Sequence, residues 1–412
     1  MDRRRSQRIQ SMKKHGSSDS DSNSHDHDDK SCKVISKLLL LEDLLFHVLT
    51  LVPLTCLFNS ARYVCKPWAA TIASSPFAEA YERRPRSKPG LYVQNCTTTS
   101  SSYFLEFKDD VNDQFERTDL GTPQKLGYVI GSCDGILLLM SMARQISVVN
   151  PILKCWLRFP RFLSQDHIVV RWQYTIARVP RTSKFKLFLI DVLEVSGACW
   201  YVFYVLRIGI DNAWKEIAKK EAPIRWHFLW FPLYSGGNDL YWITYDKVIV
   251  MDVDKETIVR EYPLPSRNMR FGPLAILLWM GNRLSCIATK DTYSTYQIYI
   301  LDFDSGKWSL HHEMGPFDYV SACGHRLNTT DVKFRLWIND QIIFRVRLPQ
   351  SPIGNLLPGL QYIHFGYNVK TRQLTKIEDI DVGNFEVCLH TNSLVSLPGY
   401  ITLYVKVMNT WE

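Results

Sequence analysis

The sequence of 412 residues contains no Cys-x-x-Cys pair, and its ten cysteines follow no regular spacing. Zinc sites and disulfide frameworks usually show such spacing, so neither is predicted. Walker-type and G-x-G-x-x-G phosphate loops are also missing. No set of nucleophile, base and acid stands out, and we therefore predict no catalytic residues, no metal ligands and no cofactor. These absences favour a binding protein over an enzyme.

Long uninterrupted apolar runs are also absent. The longest run, residues 38–58, is interrupted by Glu42, Asp43, His47 and Pro53. A charge near the centre of a bilayer costs about 3 kcal/mol, so no membrane contact is predicted. The basic start of the chain lacks the apolar core of a signal peptide. We expect a cytoplasmic or nuclear location, or both.

The net charge of +8 is concentrated in no single stripe. Residues 1–14 contain six Lys or Arg, whereas residues 15–30 contain five Asp. The remaining positive charge is scattered, as on an ordinary solvated surface, so no nucleic-acid partner is predicted. Residues 1–33 are rich in Ser and Asp and lack aromatics, and such a segment is predicted to be a disordered tail.

Residues 34–80 are predicted to form a helical module. Six apolar residues are spaced three and one apart, which places them on one helix face: Leu41, Leu44, Leu45, Val48, Leu49 and Val52. Pro53 should end this helix because it lacks the N–H that the next turn needs. A second apolar set follows at Leu54, Leu57, Phe58 and Ala61. An ordinary helical hairpin serving as a small core is the alternative interpretation.

The run LLEDLLFHVLTLVPLTCLFNSARYVCKPW, residues 40–68, resembles the F-box. That family usually has Leu-Pro-x-Asp-Leu, an Ile-Leu pair, a Pro and a closing Val-Cys-Lys-x-Trp. Here Leu41 replaces the first Pro, and Pro67 replaces a residue that is usually Ser. The resemblance implies a Skp-type adaptor as partner and, through it, a cullin scaffold. The adaptor-binding residues that it implies are Leu41, Leu44, Val48, Pro53, Leu57, Val64, Cys65 and Trp68.

Beyond a predicted linker at residues 81–90, the sequence becomes rich in short strand patterns. Strand and turn units recur in residues 131–160, 236–265 and 281–316. Five positions are equivalent in these units and in two weaker copies, at steps of 45 to 66 residues: Trp156, Trp214, Val259, Trp308 and Leu374. This period predicts a mainly β chain whose residues 91–412 form a β-propeller of six or seven blades. The run from Tyr400 to Trp411 is predicted to close the ring.

Several residues with chemical potential are predicted to be structural. The segment Gly131-Ser-Cys-Asp-Gly135 should be a hairpin rather than a nucleophile turn. Asp252, Asp254, Asp302 and Asp304 recur at one place in two units, which is typical of turns. The adjacent His311 and His312 should lie on opposite faces of a strand, so they should not bind one ion together. The twelve Trp are predicted to pack mainly in the blade core.

The repeated region also resembles the F-box-associated, kelch-like domains of a large plant family. The matching segments are GSCDGILLL at 131–139, VVNP at 148–151 and GGNDLYW at 236–242. Together the two resemblances imply a non-catalytic substrate-recognition subunit of an SCF-type ubiquitin ligase, with an unknown target protein on the propeller. Two alternatives remain: a propeller enzyme of the metal-oxidase type whose helices only pack, and a scaffold that binds the adaptor without a cullin.

Overall fold

The chain divides into two compact units, and the division falls between Ile72 and Ala73. In the computed structural model, the described residues are 41–82, 89–96, 102–107, 115–120, 126–162, 174–222, 232–244, 247–265, 276–290, 295–349, 361–395 and 397. The predicted tail, residues 1–33, and the final run from Tyr400 to Trp411 lie outside these ranges.

The first unit contains short helices. Residues 41–51 form α1, and three further elements follow: α2 (Leu54–Asn59), a 3-10 turn (Ala61–Tyr63) and α3 (Lys66–Ile72). Pro53 separates α1 from α2, as its missing N–H predicts, and it serves as the N-cap residue of α2. Pro67 is the second residue of α3, where the first-turn N–H groups have no helical partner and proline is tolerated.

The second unit begins with α4 (Ser75–Glu82) and continues as strands. The strands β1 to β12 are Gly90–Asn95, Ser102–Phe107, Phe115–Asp119, Tyr128–Cys133, Ile136–Met140, Ile146–Asn150, Cys155–Arg158, Tyr174–Arg178, Phe185–Val195, Ala198–Arg207, Lys215–Ala222 and Leu233–Tyr234. The strands β13 to β24 are Asp239–Ile243, Lys247–Asp252, Thr257–Pro263, Ile276–Met280, Arg283–Thr289, Tyr296–Asp302, Lys307–Met314, Asn328–Ile338, Gln341–Arg347, Tyr362–Asn368, Gln373–Lys376 and Phe385–His390. One short helix, α5 (Tyr319–Cys323), lies between β19 and β20.

These strands form six four-stranded antiparallel sheets, and the sheets form a ring. Five sheets consist of consecutive strands: β4–β7, β8–β11, β12–β15, β16–β19 and β20–β23. The first strands of neighbouring sheets contact one another in a closed cycle that runs β24, β4, β8, β12, β16, β20 and back to β24. The unit is therefore a six-bladed β-propeller with these strands innermost, which agrees with the predicted mainly β class.

The ring closes through a blade built from both ends of the propeller. In that blade the order is β24, β1, β2, β3, so the innermost strand comes from the C-terminal part of the chain. β24 pairs antiparallel with β1 from Gly90 opposite His390 to Asn95 opposite Phe385. Closure by a C-terminal strand was predicted correctly, but Phe385–His390 supplies that strand. The pairing covers the edge of β1, which would otherwise expose backbone N–H and C=O groups.

The five equivalent positions of the sequence repeat mark the outermost strands of five blades. Trp156, Trp308 and Leu374 are the second residues of β7, β19 and β23, Val259 lies in β15, and Trp214 precedes β11. The longest step, from Trp308 to Leu374, contains α5 and no additional described blade. The sixth outermost strand, β3, begins at Phe115 and was not recognised as part of the repeat.

The hydrophobic core lies between the blades. Each pair of neighbouring blades shares an apolar cluster of described residues, and each cluster takes side chains from both blades. We number the blades from the one closed by β24, so that β4–β7 form the second and β20–β23 the sixth. Ile136 and Ile176 belong to the cluster shared by the second and third blades, and Phe203 and Trp242 to the cluster shared by the third and fourth. A blade thus buries its two faces only against its neighbours, as expected for radially repeated sheets.

The turns that lead into the outermost strands share one design. In four blades an Asx side chain ends the third strand and accepts a hydrogen bond from a backbone N–H two or three residues later, at 2.7–3.1 Å: Asn150, Asp252, Asp302 and Asn368. The residue four positions later has a positive φ in each case: Lys154, Glu256, Gly306 and Arg372. The prediction that Asp252 and Asp302 serve turn formation is confirmed.

Candidate functional site

The first helix carries an exposed apolar stripe. The side chains of Leu41, Leu44, Val48 and Leu51 are 63%, 60%, 47% and 52% exposed. Their spacing of three, four and three residues places them on one face of α1. We call these four residues the outer stripe. The sequence had indicated the first three, while Leu51 was missed although its spacing from Val48 fits the same face.

A second stripe of α1 is turned inward. Leu49 has no exposed surface, and Leu45 and Val52 are half-buried. The apolar face of this helix is thus wider than its packing uses, and it divides into an inner and an outer part. Hydropathy periodicity alone cannot separate Leu44 from Leu45, because both belong to one broad apolar face.

The other residues predicted for adaptor binding differ in exposure. Val64 is 62% exposed, Pro53 and Cys65 are exposed, and Trp68 is half-buried. Leu57 is fully buried and lies behind the surface rather than on it. Tyr63, next to Val64, is 64% exposed and was not predicted from the sequence.

An exposed set of this kind has a clear physical use. Burying one Leu or Val side chain contributes about 1.5–3 kcal/mol, so four neighbouring ones offer a substantial gain to any protein that covers them. Single exposed apolar residues are common, whereas a row of them on one helix face is typical of an interaction surface. The outer stripe can therefore dock into an apolar groove of a partner.

The two ends of the propeller differ in the length of their connections. At one end, tight turns join neighbouring strands within a blade, for example at residues 134–135, 281–282 and 339–340. At the other end, longer connections join the outermost strand of one blade to the innermost strand of the next, at 159–173, 223–232, 264–275 and 315–327. We call these the short-turn end and the long-connection end. Long connections on a rigid frame are where binding residues usually concentrate.

The hairpin between β4 and β5 gives no support to a nucleophilic role for Cys133. Asp134 and Gly135 form the turn with φ values of +45° and +81°, which confirms the predicted hairpin. Cys133 is 5% exposed, and burial raises the pKa of its thiol well above the usual value. The reactive thiolate is disfavoured in such surroundings.

The adjacent His311 and His312 do not belong to a metal-binding group of described residues. Within those ranges no group of three or more His, Cys, Asp or Glu side chains could hold a metal ion. The His312 ring nitrogen Nε2 lies 3.1 Å from the Tyr367 hydroxyl, and burial lowers the pKa of this imidazole. His311 instead lies near the Trp337 ring, so the two histidines have different surroundings.

In the part of the chain that the structure describes, no helix is long and apolar enough to cross a membrane.

Comparison with known proteins identifies similar propellers only at low similarity. No family model and no curated protein matches the chain. Among solved structures, TolB from Acinetobacter baumannii is 9% identical with a TM-score of 0.43, over 79% of this chain and 73% of that one. A putative TolB from Agrobacterium tumefaciens is 10% identical with a TM-score of 0.39, over 74% and 98%. An oligogalacturonate lyase in complex with manganese is 11% identical with a TM-score of 0.35, over 68% and 70%.

Proposed function

We propose that this protein is the substrate-recognition subunit of an SCF-type ubiquitin ligase. In this proposal the helical unit is an F-box that binds a Skp-type adaptor, and the adaptor connects it to a cullin scaffold. The propeller holds the target protein. The observation that carries the proposal is the outer stripe, four apolar side chains left exposed on the helix whose sequence resembles the F-box.

The physical requirements of such a subunit fit the two units of the chain. The receptor does no bond chemistry; it raises the effective concentration of the target near the ubiquitin-charged enzyme. This role needs one surface for the adaptor and one for the target. The outer stripe offers the first, and the long-connection end of the propeller offers the second because its connections can vary without disturbing the blades.

The test is co-purification of the full chain with a Skp-type adaptor. Leu44→Asp places a charge in the middle of the outer stripe, and because a buried unpaired carboxylate is strongly unfavourable, adaptor affinity should fall at least about a hundredfold. Leu310→Asp is the matched control: this Leu is 52% exposed on the outermost strand β19 of the propeller, and its replacement should leave adaptor binding unchanged.

Thermal unfolding of both variants separates lost binding from lost folding. Full adaptor binding by a folded Leu44→Asp protein would refute the assignment of this surface. Addition of the cullin distinguishes a ligase subunit from a scaffold: the ligase proposal requires that the chain, adaptor and cullin migrate as one complex. A complex of chain and adaptor that never includes the cullin would favour the scaffold.

A further inference from the structure

Four cationic side chains gather where the sixth blade meets the blade closed by β24. Lys333 and Arg335 belong to β20, and Arg345 and Arg347 belong to β21. We call these four residues the cationic notch. Lys333 lies directly opposite Arg345 in the strand register, an arrangement that is unfavourable for like charges unless anions compensate it.

Two carboxylates face the notch, and they divide it into a tight end and a loose end. Glu386 lies 2.7 Å from Arg335 and 3.1 Å from Arg345, which are hydrogen-bonding distances. Asp331 lies 3.5 Å from Lys333 and 3.8 Å from Arg347, beyond the usual hydrogen-bond range. At the tight end the Glu386 carboxylate is therefore closely bonded to two guanidinium groups, whereas the loose end keeps donors that are not closely bonded to a carboxylate.

Solvent exposure also increases from the tight end of the notch to its loose end. The side chains of Arg345 and Arg335 are 4% and 14% exposed, and those of Arg347 and Lys333 are 28% and 40% exposed. Lys333 Nζ donates to the Tyr362 hydroxyl at 3.1 Å, and Tyr362 lies opposite Arg347 in the register of β21 and β22. This hydrogen bond holds the Lys333 ammonium group near the end of β21. The loose end of the notch is thus also its open end.

Buried polar atoms behind the notch lack well-formed hydrogen bonds to the described residues. His364 lies opposite Arg345 in the strand register and has no exposed surface, and neither of its ring nitrogens makes a hydrogen bond of ordinary geometry within the described ranges. The Nε atom of Arg345 is likewise buried without a partner. Burial, followed by the charges of Arg345 and Arg335, lowers the pKa of His364 to about 3, so its ring adds no further positive charge at neutral pH. Buried polar groups without partners are rare and call for an explanation such as a bound ion or water.

We propose that the cationic notch is a binding site for a phosphate-type oxyanion, held at the open end between Lys333 and Arg347. Four cations against two carboxylates supply the field, and ammonium and guanidinium groups are the donors that phosphate oxygens prefer. Without the oxyanion, the Asp331 carboxylate lies near both outer cations, Lys333 and Arg347. When the oxyanion binds, it takes the place of that carboxylate. The oxyanion is either a free phosphate compound or a phosphate carried by a bound protein. The site does not depend on adaptor binding.

The position of the notch suits a ligand-binding role. β20 and β24 are two of the innermost strands, so the notch borders the centre of the ring. Arg347 ends β21, and Lys333, in the middle of β20, lies opposite Arg345 two residues before that end, so the open end is directed towards the long-connection end of the propeller.

The test is calorimetric titration of the full chain with inorganic phosphate, at an ionic strength held constant with potassium chloride. Saturable binding is expected, and the double substitution Lys333→Met and Arg347→Met should weaken it at least about tenfold, because two charge-assisted contacts are lost. The control is Arg181→Met with Lys370→Met, two exposed cations, 79% and 75%, on turns at the short-turn end. The control should bind phosphate as the unchanged protein does.

Two outcomes would overturn the proposal: phosphate binding no stronger than chloride binding, or equal phosphate affinity in the notch variant and the control. If the double variant unfolds, Arg347→Met alone replaces it. A peptide with one phosphoserine and its unphosphorylated form then identify the source of the oxyanion. Tighter binding of the phosphopeptide than of inorganic phosphate indicates a protein-borne phosphate, and the reverse order indicates a free phosphate compound; either order supports the notch.

Discussion

At the scale of single residues, the carboxylate of Glu256 lies within hydrogen-bonding distance of two cationic side chains. It accepts two hydrogen bonds from Arg207, at 2.8 and 2.7 Å, and lies 2.8 Å from Lys186 Nζ. Lys186 and Arg207 belong to the third blade, and Glu256 lies in the last turn of the fourth. This buried group of three charges therefore connects two neighbouring blades.

The group should make stability depend on pH. Burial alone would raise the pKa of Glu256, but the hydrogen bonds from Arg207 and Lys186 outweigh it and lower the pKa from 4.5 to about 2. A lowered pKa in the folded state gives stability that is fully present above about pH 4.5 and is lost as the pH falls towards 2. The free energy of unfolding, measured by urea denaturation between pH 6 and pH 2.5, should decline through this range.

Glu256→Gln should remove much of that decline and lower the free energy of unfolding at neutral pH by about 3 kcal/mol, since it leaves Lys186 and Arg207 without their carboxylate. Asp340→Asn is the control, because Asp340 is 45% exposed and its pair with Lys370 should contribute less than about 1 kcal/mol. Equal losses in the two variants would contradict a special role of Glu256.

Two tryptophans each donate a hydrogen bond from one blade to the end of the neighbouring blade. The indole N–H of Trp308 in the fifth blade donates to the Pro263 carbonyl at the end of the fourth, at 2.7 Å. The indole N–H of Trp214 in the third blade donates to the carbonyl of Pro160, which follows the second blade, at 3.1 Å. The predicted core role fits Trp242, which is 1% exposed, and Trp214 and Trp308 also pack, half-buried, against the apolar clusters between blades.

Trp308→Phe should lower the free energy of unfolding by about 1 kcal/mol, because it removes the hydrogen bond and keeps most of the ring. Trp200→Phe is the matched change: the Trp200 ring contacts Lys219, and its indole N–H donates to none of the described residues. Chemical denaturation of both variants measures the difference. A loss in Trp200→Phe as large as that in Trp308→Phe would assign the effect to ring size.

At the scale of elements, the hairpin between β4 and β5 is held against the segment that follows β24. A Cβ on Gly135 would overlap the Cβ of Ser393 and lie 2.9 Å from its backbone nitrogen. Asn150 fastens the same segment, donating to the carbonyls of Ser393 and Val395 at 3.0 and 2.8 Å. The chain beyond the closing strand is therefore clamped onto the second blade.

Gly135→Ala should destabilise the protein by on the order of 3 kcal/mol, through both its positive φ and its collision with Ser393. Gly197→Ala isolates the first cause, because Gly197 has an almost equal φ of +82° and nothing lies within 4 Å of its added Cβ; it should cost about 1 kcal/mol. Melting temperatures provide the measurement, and equal shifts would show that the contact with Ser393 is unimportant.

The helices and blades differ in how far sequence could predict them. Four outer strands share an Asx turn, and two of those also share a following Trp, so their period was visible in the chain. The sixth outer strand, β3, was missed. The outer stripe was visible only in part, since packing decides which half of a broad apolar face is covered. The cationic notch was not predictable, because its four residues come from β20 and β21, their neighbours come from β22 and β24, and all of them meet only through strand register and blade packing.

At the scale of the whole molecule, the ring depends on β24. Val387 is 6% exposed and packs in the cluster shared by the sixth and first blades, whereas Leu389, two residues further along β24, is 44% exposed. Because the blades bury their faces only against each other, a substitution that weakens one contact between blades should lower the stability of the whole ring.

Val387→Asp should lower the stability of the whole propeller by more than about 3 kcal/mol, since it buries an unpaired charge. Leu389→Asp on the same strand should cost less than about 1 kcal/mol. Near-ultraviolet circular dichroism during heating reports the loss of packed aromatics throughout the ring. Early unfolding confined to one blade in the Val387→Asp protein would contradict the dependence of the ring on this strand.

The pairing of β24 with β1 also has a consequence for biosynthesis. A ribosome releases the first three strands of the closing blade early, but their fourth strand emerges only after the other five blades have been translated. During that interval the backbone of β1 offers an open template to any other nascent chain. The strand order of this blade therefore makes the edge of β1 the last part of the ring to be covered as the chain is synthesised.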